Sequence, residues 1–260
     1  MSTSLNQHFT PWALLKFAFP SIIMMIFMSL YTIVDGIFIS RFLGSNALSS
    51  LNIVFPVINV VIAIATMLGT GGNAIISKYL GEGRNQDARE CLTQFTVIGL
   101  AVSLLLLVLT QIFLTPLCRI LGSTDVLLAD CRAYLSVSLL FAPACMLQTL
   151  FQSYLVTAGM PALGLFLTIG AGILNAVLDY VLILVFPMGI AGAAIATGIG
   201  QSVPAVAGLF YFLLSRKDLY FTRFRLHPKE LFMACYNGSS EMVTQLSNAI
   251  ITFLFNLIML

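Results

Sequence analysis

The chain has 260 residues, of which 59% are hydrophobic and only 8% charged, far below the roughly one quarter charged residues of a soluble domain. This excludes a soluble globular enzyme, and the net charge of +2 at pH 7 gives no sign of a nucleic-acid partner. The composition defines an all-α polytopic membrane protein, because the apolar runs are continuous and far exceed the ~10 residues of a barrel strand.

A membrane span needs about 20 apolar residues, which divides the chain into seven predicted spans at 12–40, 48–80, 89–114, 127–156, 162–186, 190–214 and 229–260. The fourth and fifth are parted at Ala158-Gly159-Met160-Pro161. The first eleven residues lack a basic region and the first apolar core is too long for a cleavable signal, so the first span is expected to stay in the protein. Lys and Arg concentrate in cytoplasmic loops. With the N-terminus inside, Lys16, Lys78, Arg84, Arg89, Arg216, Lys217, Arg223, Arg225 and Lys229 fall on the cytoplasmic side, and Arg41, Arg119 and Arg132 on the other. The cysteines at 91, 118, 131, 145 and 235 have no metal-binding spacing. They read as small packing residues, with an outward Cys118–Cys131 disulfide as the alternative. The sequence stops within the apolar run ITFLFNLIML, so a fragment of a longer protein is expected.

In the first span Met24, Met28, Tyr31 and Asp35 share one helical stripe, apolar at the cytoplasmic end and acidic near the other. Pro20 removes a backbone donor there and predicts a kink, either a working hinge or a static bend. The second span carries Asn52, Pro56 and Asn59 on one face, then Gly69-Thr70-Gly71-Gly72, a small-residue patch suited to close helix packing. The charged turn 81–87 reads as solvated linker. The third span is nearly featureless and is expected to face lipid. In the fourth, Pro143 is a second potential hinge, and Gln148 and Gln152 are i, i+4 neighbours that either line a cavity or glue helices together. The sixth opens with the small-residue run GIAGAAIATGIGQ, with Gln201 one turn beyond Thr197. In the seventh, Glu241, Gln245, Asn248 and Thr252 form a polar stripe, although Glu241 also suits an ordinary helix first turn.

The fifth span carries one acid, Asp179, at a depth where insertion costs about 2.5–3.5 kcal/mol, so the residue points to function. Asn175 lies one turn earlier on the same face. Counting from the turn at Phe186-Pro187-Met188-Gly189 at 1.5 Å per residue places Asp179 and Thr197 about 12–15 Å deep, and Asp35 about 14 Å from its own helix end. Three spans thus bring oxygen ligands to one level: Asp35, Asn175, Asp179 and Thr197. Two carboxylates in such surroundings should titrate as a coupled pair, and an amide and a hydroxyl beside them suit H+ or Na+. No phosphate-binding GxxxxGK[ST] occurs, so no ATP engine is encoded and energy must come from a gradient or a partner.

The segments SLYTIVDGIFISRFLG, KYLGEGRNQDA, NAVLDYVLI and GAAIATGIGQ together resemble the multidrug and toxic compound extrusion (MATE) transporters, and GSSEMVTQLSNAI is most similar to their MepA/DinF-like bacterial branch. The resemblance implies a fold of twelve helices in two six-helix lobes, with residues 1–214 the N-lobe, 215–228 a cytoplasmic inter-lobe loop and 229–260 the first helix of a truncated C-lobe. It implies export of small amphiphilic, often cationic compounds in exchange for H+ or Na+, by a monomeric protein of the bacterial inner membrane with no other cofactor and no catalytic residues. The family's ion-coupling positions fall on Asp35, Asn175, Asp179 and Thr197. Tyr31, Gln148, Gln152, Gln201 and Glu241 are candidates for the ion site or substrate lining, with Glu241 too early in its span to equate with the glutamate some branches use. Met24, Met28, Phe55 and Phe151 are candidates for an adaptable apolar wall, each open to a core-packing reading, and Pro20 is the hinge. A flippase for lipid-linked precursors should show a cationic central cavity, and an intramembrane aspartyl enzyme a GxGD or HExxH signature. Every Lys and Arg lies near a span end or in a loop, and neither signature is present.

Overall fold

The structure, a computed structural model, describes residues 11–215 and 219–259, all helix and connections with no strand among them. The helices are α1 (Pro11–Phe42), α2 (Ser45–Gly81), α3 (Asn85–Ile112), α4 (Leu114–Ile120), α5 (Leu128–Leu140), α6 (Ala142–Thr157), α7 (Pro161–Asp179), a π-helix (Tyr180–Val185), α8 (Gly189–Leu214) and α9 (Pro228–Met259). Among the described residues, α2, α3, α7 with its π extension, and α8 are long and apolar enough to cross a membrane, and α5 with α6 makes a fifth crossing if counted as one bent span. These account for the second to sixth expected spans, and α1 and α9, helices of 32 residues each, run where the first and seventh are expected.

The fourth span is not one rod. It bends by 51° between α5 and α6, where Phe141 leaves helical geometry at φ −93°, ψ 5°. Pro143 lies two residues on and has no N–H to offer the carbonyl of Leu139, so the break sits where the sequence predicts a hinge. The short α4, in the connection after α3, carries no sequence signal long enough to announce it. Gly189 takes φ +61°, a left-handed value that lets the chain reverse at 186–188 and enter α8 at once.

Two apolar clusters divide the bundle lengthwise. Ile39, Val54, Cys118, Leu135, Ile183 and Ala193 fill the end bearing the 43–44 and 186–188 turns. Phe95, Tyr154, Phe151, Phe212, Leu219 and Ala234 fill the end bearing the 82–84 and 158–160 turns. All five cysteines are free and four of them buried, as packing residues would be.

The third span does not face lipid along its length. Ala88 and the run from Glu90 to Thr96 are buried, because α2, α6 and the chain leading into α9 lie against that end of α3. Asn52 and Asn59 also differ despite sharing a face by spacing: the first is exposed and the second buried.

The glycine patch of α2 is a contact surface. A Cβ on Gly71 would stand 1.9 Å from the carbonyl oxygen of Ala234, and one on Gly238 would stand 2.1 Å from that of Met67. The backbones of α2 and α9 therefore touch where neither has a side chain. Gly71→Ala should destabilise the protein by about 1–3 kcal/mol through overpacking, while Gly81→Ala, with open space around its Cβ, should leave the thermal unfolding midpoint unchanged.

Candidate functional site

Helix α7 carries Asn175 and Asp179 one turn apart, and both are sealed from solvent at 1% and 0% exposure. Asn175 Nδ2 donates to Thr197 Oγ1 of α8 at 3.3 Å. Close approach of the two helices makes this reachable, since a Cβ on Gly200 would lie 3.2 Å from the Cβ of Asn175. From the other side α1 comes in tightly, with Phe27 against Gly172, and brings Asp35 to Asp179.

The carboxyl groups of Asp35 and Asp179 face each other within hydrogen-bonding reach. Apart from that mutual contact, the buried oxygens Asp35 Oδ1, Asp179 Oδ1 and Asp179 Oδ2 have no donor. Two carboxyl groups bond to each other only through a proton that one of them holds, so the pair offers a place for one shared proton. Asp179 is also the last α-helical residue before the π-helix, whose wider turn is a common companion of functional side chains.

Beside the pair lies a cavity of about 230 Å³ between α1, α2, α5, α6 and α8. Asp35, Thr197, Gln201 and Ser138 give its wall polar atoms, and Phe55, Tyr134 and Leu139 make much of the rest apolar. The bend at Phe141 shapes it, and that ring sits where a Cβ on Gly198 would be, at 2.1 Å. Asn175 and Asp179 are not on the wall. They stand behind Thr197 and Asp35, each joined to its partner.

The four residues singled out for ion coupling are thus brought together, and Gln201 and Phe55 join them at the cavity. Several other candidates are placed elsewhere. Gln152 Nε2 donates to Thr168 Oγ1 at 3.0 Å and ties α6 to α7, and Gln148, though buried, is not on the cavity wall. Phe151 is 1% exposed and stacked with Phe212 and Phe221 at centroid distances of 5.5 and 6.2 Å, so it is core and no substrate wall. Met24 is half-buried away from the cavity. Glu241 is exposed on α9 and is not on the cavity wall. The side chains of Pro20, Met28 and Tyr31 lie outside the described residues; α1 runs through position 20 as continuous helix. Missed by the sequence reading are Ser138 and Tyr134 on the wall, whose only signal was proximity to Pro143.

Among the described residues no three His, Cys, Asp or Glu side chains cluster as a metal site. Carboxyl, amide and hydroxyl oxygens are ligands for a proton or a hard cation.

Fold and site define a multi-span helical membrane protein with two facing carboxyl groups beside an internal cavity. Residues 20–181 match the MatE family model, and the chain belongs to that family. It is 28% identical over 201 residues to the multidrug export protein MepA of Staphylococcus saprophyticus, covering 77% of this chain and 44% of the relative. An outward-facing multidrug resistance MATE family transporter of the MOP superfamily has the same fold at TM-score 0.84 and 23% identity, over 91% of this chain and 53% of that one. An inward-facing structure of such a transporter matches at TM-score 0.75 and 25% identity, over 86% and 52%. The chain spans about half the length of these relatives.

A protonated carboxyl in apolar surroundings reacts with dicyclohexylcarbodiimide, whereas an ionised or solvated one does not. The reagent should therefore modify the acid pair, and peptide mass mapping should show the modification abolished when Asp35→Asn and Asp179→Asn are combined.

Proposed function

We propose that the chain forms the first half of a secondary active exporter that moves small amphiphilic, often cationic compounds out of the cell against inward flow of H+ or Na+. The observation that carries this reading is the acid pair: two carboxyl groups from different helices, facing each other within hydrogen-bonding reach and adjoining a cavity. Kinship with multidrug export proteins supports the substrate class. The basic-residue asymmetry of nine against three supports a bacterial inner-membrane protein with a cytoplasmic N-terminus. In this reading residues 1–214 are one lobe, 215–228 link the lobes and 229–260 begin the second, the whole protein being a monomer.

Removing the shared proton without replacing it leaves two like charges about 4 Å apart, which repel by about 4 kcal/mol at an effective dielectric of 20. A change of that size is enough to shift a two-state equilibrium by nearly three orders of magnitude. Because Asp35 rides on α1 and Asp179 on α7, the repulsion acts between helices and pushes α1 away. Protons or Na+ entering the chamber relieve it, Na+ being held by the carboxylates with the oxygens of Asn175 and Thr197. Movement of α1 alters the cavity wall to which Asp35 belongs, and affinity for the exported compound changes with it. A flippase would need positive charge to hold pyrophosphate, and among the described residues no Lys or Arg lines this cavity.

The test is efflux of a fluorescent cation from vesicles holding the full-length protein under an imposed proton or sodium gradient. Asp35→Asn and Asp179→Asn should each cut gradient-driven transport at least about tenfold, the size expected when a site loses its charge change. Thr197→Val should raise the sodium concentration needed, if sodium is the coupling ion, and have little effect on a proton-driven process. Unchanged transport in both Asn variants would dismiss the acid pair.

A further inference from the structure

Away from the acid pair, residues 219–227, which lead into α9, are bound to α3 along one face. Residues 219–227 run without regular structure, yet Leu219 is 2% exposed. Phe221 sits against Phe151 and Phe212, with its backbone N–H on the carbonyl of Phe212 at 3.1 Å. Three residues of α3 at i, i+3 and i+4 meet this connector. Thr93 Oγ1 accepts from the Thr222 N–H at 3.0 Å. Gln94, fully buried, donates from Nε2 to the carbonyl of His227 and accepts the His227 N–H on Oε1, both at 3.1 Å. One side-chain amide thus closes both backbone groups of His227, as a neighbouring strand would.

Glu90, 4% exposed, completes the face. Its Oε1 accepts from Gln86 Nε2 at 2.9 Å and from Arg225 Nη1 at 3.4 Å, and its Oε2 lies 2.9 Å from His227 Nε2. Arg89, one residue away, holds Tyr220 by a 2.9 Å bond and by lying 4.1 Å from its ring centre. Directly after His227 the chain enters α9 at Pro228, where Tyr79 of α2 donates to Glu230 at 3.2 Å. The glycine crossing at Gly238 follows eleven residues beyond His227, about 16 Å along the helix. Two fixed points, the clamp on His227 and the glycine crossing, therefore set the line of α9 across α2.

We propose that Glu90 and Gln94 are positioning residues for transport: they latch residues 219–227 to α3 and through this connector fix the pivot about which α9 moves relative to α2. The role rests on the exporter reading, in which α9 opens the second lobe and must change its angle to the first. The connector is the covalent link from α8 to α9, so a loose connector leaves the angle set only by the direct contacts of α9 with α2, the Tyr79–Glu230 bond and the glycine crossing. Glu90 and Gln94 touch neither the cavity nor the acid pair.

The experiment uses the purified full-length protein and two readouts. Trypsin cleavage after Arg223 and Arg225 reports release of the connector, and gradient-driven efflux of a fluorescent cation reports transport. Gln94→Ala, by leaving the N–H and carbonyl of His227 unsatisfied, and Glu90→Ala, by releasing Arg225 and the His227 ring, should each speed cleavage about tenfold, and should slow transport by a similar factor. Glu90→Gln, which keeps an acceptor for Gln86 and a polar atom toward His227, should restore both to within about threefold. Gel filtration identifies a variant that fails to fold; Gln94→Ala, which leaves Glu90 paired, then carries the comparison. Unchanged cleavage in both Ala variants would overturn the latch. Faster cleavage with undiminished transport would overturn the positioning role. No gradient-driven transport by the unmodified protein would overturn the exporter reading and this role with it, and the wild-type trace alone distinguishes that case.

Discussion

A carboxyl group buried among helices needs a partner, and for Asp35 and Asp179 the partner is the other. That requirement orders the surrounding structure. It brings α1 onto α7 over the bare Gly172, and Asn175 on the same α7 face meets Thr197 of α8. The small residues that open α8 let it lie close enough for that bond. Glycines along these helices thus serve the acid pair indirectly, by thinning the walls between three helices until their polar tips meet.

The cavity beside the pair owes its shape to a second constraint, the missing N–H of Pro143. Helix α5 ends at Leu140 and α6 resumes at Ala142 in a new direction, and residues flanking the break, Ser138, Leu139 and Ala142, form part of the wall. The acid pair and the cavity meet at Asp35, which belongs to both, so a change at one is felt at the other.

The acid pair was legible in the sequence because an ionisable residue in an apolar run stands out, and because counting from a turn converts position into depth. Helix periodicity gave faces correctly but could not say what covered them. Phe151 and Gln152 looked as suited to a cavity as Phe55, and only the packing of α6 against α7, Phe212 and Phe221 separates them. Glu90 was overlooked because it stands at a span boundary, where a charge is unremarkable. Its partners Arg225 and His227 lie more than 130 residues away, and nothing local links the two segments. The same distance hid the burial of the α3 end and led to a lipid-facing expectation.

The π-helix from Tyr180 to Val185 has a consequence of its own. An α-helix that takes in an extra residue while its ends stay pinned must widen somewhere, and this helix widens directly after Asp179. The span therefore holds slack between its buried carboxyl and the reversal at Pro187, a stretch beyond α7 where chain length can vary without dragging Asp179 around its axis.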